Sequence, residues 1–228
     1  MNELELIEHT ANHVRSVLSG DSSGHDWWHI HRVWHNARLI RDEAGGDQLV
    51  VELAALLHDL GDWKFHGGDE DAGPRLARQW LEPLSKECAS LTPATIDHVC
   101  DIIAHLSFKG AGVKTEMSTL EGQITQDADR LDAIGAVGIA RTFAYGGHAG
   151  RLLFDPDQPP VRHDSFAAYK ASKGATINHF YEKLLLLKDR MNTPAAQRIA
   201  AQRHQFMEQF LEQFFDEWGV TERPNVVM

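Results

Sequence analysis

The chain has 228 residues, 43% hydrophobic and 24% charged, which is enough for a substantial buried core. A formal charge of −11 argues against a binder of nucleic-acid backbones, which needs clustered Lys and Arg; small phosphorylated ligands stay open, because a metal can supply local positive charge. Two cysteines, Cys88 and Cys100, outside any CxxC arrangement support neither a disulfide framework nor a thiolate zinc site.

The first residues, MNELELIEH, are acidic and lack the basic start and apolar stretch of a signal peptide, and no apolar run approaches a membrane span. A soluble, cytoplasmic protein with no membrane partner is expected. Residues 3–19 place Leu4, Ile7, Ala11, Val14, Val17 and Leu18 near helical period, with Gly20 closing the segment. After the polar loop GDSSGHD, residues 27–43 read as a second helix with Ile30, Val33, Trp34, Ala37 and Ile40 inward. Gly45 and Gly46 end it. The third segment, LVVELAALLHDLGD from Leu49 to Asp62, is interrupted by charge only at Glu52 before it reaches His58, Asp59 and Asp62. A run that apolar reads as a helix buried on most sides, with Gly61 as its stop.

A polar, Gly-rich loop and a helix over about 71–81 follow. Thr92 and Pro93 then mark a helix start, with Ile96, Val99, Ile102, Ile103 and Leu106 inward. A helical pattern covers 119–145 with a break expected near Asp127. Residues 146–165, rich in Gly and Pro, form the longest irregular stretch, and loops of that length are usually functional. Two long helices are expected over about 166–190 and 194–217. With no sustained β-branched alternation, the fold class is all-α, one domain over 1–228, its core about 26–132 and the helices of 166–217 packed on that core.

A buried helix ending in an imidazole and carboxylates must satisfy them, and a metal ion satisfies all at once. The dipeptide His-Asp carries little information alone, since about one copy is expected by chance in this composition. Three occur, at His25–Asp26, His58–Asp59 and His163–Asp164, and only the second closes an apolar helix. His29 from the preceding helix and Asp129 from a following one would complete two imidazoles and two carboxylates, a mixed N/O set suited to Mn²⁺, Fe²⁺, Zn²⁺ or Mg²⁺. Asp62 shares the face of His58 and Asp59 if the helix persists. Fourteen histidines are present; His9, His13, His179 and His204 sit in ordinary amphipathic segments and are expected to be solvated. Trp27, Trp28 and Trp34 near His29 read as core rather than as a stacking platform.

Taken together, HIHRV, LLHDLGD and DADRLDA resemble the HD-domain metal-dependent phosphohydrolase superfamily. The likeness is strongest to the small stand-alone bacterial HD hydrolases, some of which are nucleoside-triphosphate pyrophosphohydrolases. It runs from about Asp26 to Asp155 and includes IIAHLSF and GIARTFAYGGHAGRLLFDP. The resemblance implies an all-helical fold and a divalent cofactor, Mn²⁺ or Mg²⁺ first, with Fe²⁺, Zn²⁺, Ni²⁺ or Co²⁺ as alternatives. It implies His29, His58, Asp59 and Asp129 as ligands, with Asp127 the rival of Asp129 and otherwise a helix N-cap.

The resemblance further implies Asp62 as the group that orients or deprotonates the attacking water, and Lys64 and His105 as contacts to phosphate or leaving group. Looser candidates are His66, His148 and Arg151. Arg32 and Arg130 would be structural partners of the site carboxylates, and Asp132 either braces an imidazole or is solvated. The implied substrate is a nucleotide, hydrolysed to monophosphate and pyrophosphate. A phosphomonoesterase, a (p)ppGpp hydrolase and a non-catalytic nucleotide-binding regulator are the alternatives, and a homodimer stays open. The Gly-Tyr-Pro signature of the cyclic-dinucleotide branch is missing.

Overall fold

The computed structural model describes residues 1–18, 26–61, 69, 71–106, 115–162, 174–220 and 224, and among them the chain is all-α with no strand. In order the helices are α1 (Glu3–Val17), α2 (Trp27–Ala44), α3 (Gln48–Leu57), α4 (Ala72–Leu84), α5 (Pro93–His105), α6 (Leu120–Asp132), α7 (Gly135–His148), α8 (Asn178–Glu182) and α9 (Pro194–Trp218). No described helix is long and apolar enough to cross a membrane. Contacts divide the chain into two compact units, Met1–Ser107 with Glu116–Asp129, and Phe108–Thr115 with Arg130–Met228.

In the first unit α3 is the central element, packed by α1, α2 and α5, while α4 packs on α5. Every residue from Leu49 to Leu57 is buried, the charged Glu52 included. Full burial of side chains such as Leu53, Leu56 and Leu57 contributes about 1.5–3 kcal/mol each. Glu52 is tolerated because the Trp34 indole N–H donates to its Oε2 at 2.6 Å and the Gln48 amide to its Oε1 at 2.7 Å. Helix starts are set by side-chain caps: Asp26 accepts from the His29 amide, Asp47 from Leu49 and Val50, and Thr92 from Thr95 ahead of Pro93.

Three expectations about these helices are corrected. The buried face of α1 is Leu6, Ile7, Thr10, Ala11 and Val14, whereas Leu4 and Val17 are exposed. α3 ends at Leu57, before His58, and Gly61 does not adopt the positive φ of a left-handed cap. α6 runs unbroken through Asp127, which is therefore not an N-cap. Its start is at Thr119, whose hydroxyl accepts from the Gly122 amide and whose carbonyl accepts from Gln123. The break falls later, after Asp132, where Gly135 takes φ +79° to begin α7.

The second unit is built on α7 against α9. Phe143, Phe154, Phe180, Phe210, Phe214 and Phe215 form a continuous aromatic cluster, with ring centroids 5.4–6.4 Å apart. The expected long helix over 166–190 does not form in its described part, 174–190. The amides of Thr176 and Ile177 donate to the carbonyls of Leu152 and Leu153, and the Asn178 amide group donates to the Gln158 carbonyl. Those bonds compete with a helical ladder, leaving the short α8 and two 3-10 turns. Thr193 and Pro194 open α9 as expected.

Candidate metal centre

The first unit brings His29, His58, Asp59 and Asp129 together from three places in the sequence. α2 carries His29 on its buried side, 1% exposed, because the Asp26 cap and the apolar positions Ile30 and Val33 fix that helix face. The turn after α3 carries His58 and Asp59. Its start is held by the Leu60 amide, which donates to the Leu57 carbonyl. α6 carries Asp129, and the buried Asn36 on α2 donates its side-chain amide to the adjacent Ala128 carbonyl at 3.4 Å.

The Nε2 atoms of His29 and His58 stand 3.3 Å apart, with the rings at 72°. Asp59 Oδ2 is 3.5 Å from His29 Nε2. Asp129 Oδ1 is 3.7 Å from His29 Nε2 and 3.8 Å from His58 Nε2. The His58 Nδ1–H donates to the Ala55 carbonyl at 2.9 Å, which leaves Nε2 as the lone-pair nitrogen facing the cluster. Metal–nitrogen bonds are about 2.0–2.1 Å, so two imidazoles on one ion hold their nitrogens roughly 3 Å apart. The observed spacing fits that, and the N₂O₂ donor set fits a divalent first-row ion or Mg²⁺. Among the described residues, His29, His58 and Asp59 are the one group of three or more His, Cys, Asp or Glu side chains compact enough to hold a metal.

The same family relation is found by comparison. The HD-domain family model matches residues 27–134, which spans every one of these four side chains. A Bacillus subtilis protein, YpgQ, itself uncharacterized, is 39% identical over 216 residues, covering 93% of this chain and 94% of that protein. The chain belongs to the HD-domain family. An HD-superfamily hydrolase from Bacillus thuringiensis is 45% identical, with TM-score 0.72 over 95% of this chain and 98% of that one. YpgQ has also been solved in complex with ADP, with TM-score 0.68 over 91% of this chain and 97% of that one. The fold is therefore that of the HD-superfamily hydrolases, whose HD domains bind divalent metals, and the histidine–carboxylate cluster lies within the matched segment.

Asp62, Lys64 and His66 lie outside the described residues. His105 is 60% exposed, and its Nδ1–H donates to the Asp101 carbonyl one turn back, with the Asp101 carboxylate 3.3 Å away. His148 is exposed, and Arg151 lies over the Tyr145 ring. Arg130 donates to the Arg190 carbonyl and to the Thr115 hydroxyl. Asp132 is neither solvated nor set on an imidazole in the contacts it shows: it receives Arg141 at 2.7 Å. Asp127 is fully buried in mid-helix. Trp27 and Trp34 pack on the core as expected, but Trp28 is 56% exposed. Two histidines expected to be solvated are not: His13 stacks on Trp80 at 3.6 Å and 5°, and His204 is buried beside Glu208. Asn36, which the sequence reading did not single out, holds the backbone next to Asp129 through the Ala128 carbonyl.

Proposed function

We propose that His29, His58, Asp59 and Asp129 hold one divalent cation, and that the protein is a phosphohydrolase acting on nucleotides. The carrying observation is the convergence of two Nε2 atoms and two carboxylate oxygens, with the nitrogens 3.3 Å apart and three nitrogen–oxygen distances of 3.5–3.8 Å. Of the two sequence rivals for the last position, this distance set supports Asp129. A divalent ion bound there supplies Lewis acidity, lowering the pKa of water and polarising a phosphoryl oxygen. The ADP bound in the structure of YpgQ supports a nucleotide as substrate. The favoured reaction is that of a nucleoside triphosphate with water: the oxygen attacks the α-phosphorus, the α–β bridging P–O bond breaks, and pyrophosphate leaves as monophosphate forms.

The chain's own contributions are positional and acid–base. The carboxylates of Asp59 and Asp129 offset cationic charge in a largely buried place, and the His58 Nδ1–H bond to Ala55 keeps that imidazole oriented. Asp62 is assigned to accept a proton from water, and Lys64 and His105 to the phosphoryl oxygens or the leaving group.

The test is a panel of nucleoside mono-, di- and triphosphates and (p)ppGpp, with Mn²⁺ or Mg²⁺, read as phosphate against pyrophosphate release. Pyrophosphate from triphosphates alone supports the proposal, and free phosphate from monophosphates replaces it with a phosphomonoesterase. Bound ion and bound nucleotide without turnover of any substrate would make the protein a nucleotide-binding regulator.

A further inference from the structure

Gly61 lies two residues beyond Asp59, and its place in the structure is set by contact rather than by backbone freedom. A Cβ built on Gly61 would stand 2.4 Å from the Gly73 nitrogen and 2.6 Å from both the Ala72 carbonyl carbon and the Gly73 Cα. Those are backbone atoms of the first turn of α4, so no side-chain rotation relieves the overlap. The turn that carries His58 and Asp59 thus rests directly on the start of another helix. α4 has no room to retreat: Ala72 is fully buried, and a Cβ on Gly73 would meet the Cγ2 of Ile103 on α5 at 3.2 Å, with the Gly61 and His58 carbonyl oxygens at 3.8 and 4.0 Å. Ile103 is itself 6% exposed within the core.

We infer that the Gly61–Gly73 backbone contact is a positioning device for the metal centre, in which the start of α4, backed by Ile103, sets the turn that presents His58 and Asp59 to His29. The inference rests on the reading that these residues hold a divalent ion. Neither glycine touches the ion or the substrate. Each acts through the turn. α3 has already ended at Leu57, so the helix ladder does not fix Asp59. The His58 Nδ1–H bond to Ala55 orients that imidazole, and the place of the turn sets where both the His58 and the Asp59 side chains start. A ligand carboxylate displaced by even part of an ångström loses its share of the coordination, because ligand distances in such sites are tight.

The experiment is calorimetric titration of the purified, metal-stripped full chain with Mn²⁺ alone, paired with its unfolding temperature. Wild type must bind Mn²⁺ stoichiometrically; if it does not, the metal reading itself fails, separately from the role of Gly61. Given that binding, Gly61→Ala is expected to weaken Mn²⁺ at least about ten-fold, the range for residues that orient ligands. Leu81→Ala, which removes a fully buried side chain of the same helix α4, is expected to lower the unfolding temperature while leaving Mn²⁺ affinity within about two-fold. Gly73→Ala, with its smaller overlap, should weaken Mn²⁺ by about three-fold or more in a folded chain, and it decides the matter if Gly61→Ala does not fold. Wild-type affinity in a folded Gly61→Ala, or in Gly73→Ala when Gly61→Ala is unfolded, overturns the inference. So does a loss in Leu81→Ala as large as that in the glycine variants.

Discussion

In the second unit, Asp132 is 2% exposed and receives Arg141 at 2.7 Å, while the Arg203 guanidinium donates to the Leu131 carbonyl and rests its aliphatic stem on Gly135. In the first unit, Asp59 and Asp129 face imidazole nitrogens at 3.5–3.8 Å. One region closes its buried charge with an opposite charge from the chain, and the pair needs nothing further. The other gathers groups that all offer electron pairs to a common point. The first arrangement is a structural brace and the second is the proposed metal site, although each includes a carboxylate mostly withdrawn from solvent, Asp132 at 2% exposure and Asp59 at 12%. Burial of a charged residue therefore says little about function until its partner is known.

The sharpest way to break this contrast is Asp59→Ala. It should remove Mn²⁺ binding, by more than the roughly 10–100-fold seen for outer partners of ligands, and abolish phosphohydrolysis, while the helical circular dichroism stays intact. Asp127→Asn offers the control on α6: metal affinity is retained and the unfolding temperature falls, while Asp129→Ala should show the reverse. In the second unit, Arg141→Met should cost about 3 kcal/mol by denaturant titration, because it removes the guanidinium that donates to the buried Asp132 carboxylate, with Mn²⁺ affinity unchanged. A metal affinity that tracked Arg141 would erase the distinction between the two regions.

Trp34→Phe probes Glu52, a buried acid of the first unit that is bonded to Trp34 and Gln48. Loss of the indole donor leaves Glu52 Oε2 under-satisfied, and about 1–3 kcal/mol of stability should go. The smallest effect belongs to His13. Burial against Trp80, and then the neighbouring His9, hold its pKa below the ordinary histidine value. A folded pKa below the unfolded one means the unfolded chain binds more protons in the window between them. Stability is fully present above the unfolded value, near pH 6.5, and declines as pH falls through the lower folded pKa. His13→Gln should flatten that acid limb in thermal melts between about pH 7 and 5, with the metal centre unaffected at pH 7.

Much of the metal centre was legible because its signals are local and redundant. The apolar run of Leu49–Leu57 gives a buried helix, and a histidine and an aspartate at its end have few uncharged fates. Where the sequence misled, a non-local partner had won. The α8 region looks helical until the amides of Thr176 and Ile177 are taken by the carbonyls of Leu152 and Leu153, more than twenty residues away. Asp127 looks like a cap only if α6 starts there, and the Thr119 hydroxyl starts it eight residues earlier. His13 and His204 look solvated, and Asp132 looks either solvated or set on an imidazole, because nothing in their neighbourhood along the chain announces Trp80, burial or Arg141.

The sequence by itself determined the all-α class, most helix starts and the candidates His29, His58 and Asp59, because periodicity, caps and residue chemistry act over a few residues. Only the tertiary structure decided that Asp129 rather than Asp127 stands beside the two imidazoles, since helical phase places it there and the extent of α6 is set by a cap far from either residue. It alone decided what Gly61 is for. A glycine after His-Asp reads along the chain as a helix stop. In three dimensions it is the point where the backbone of α4 comes within the space of a methyl group.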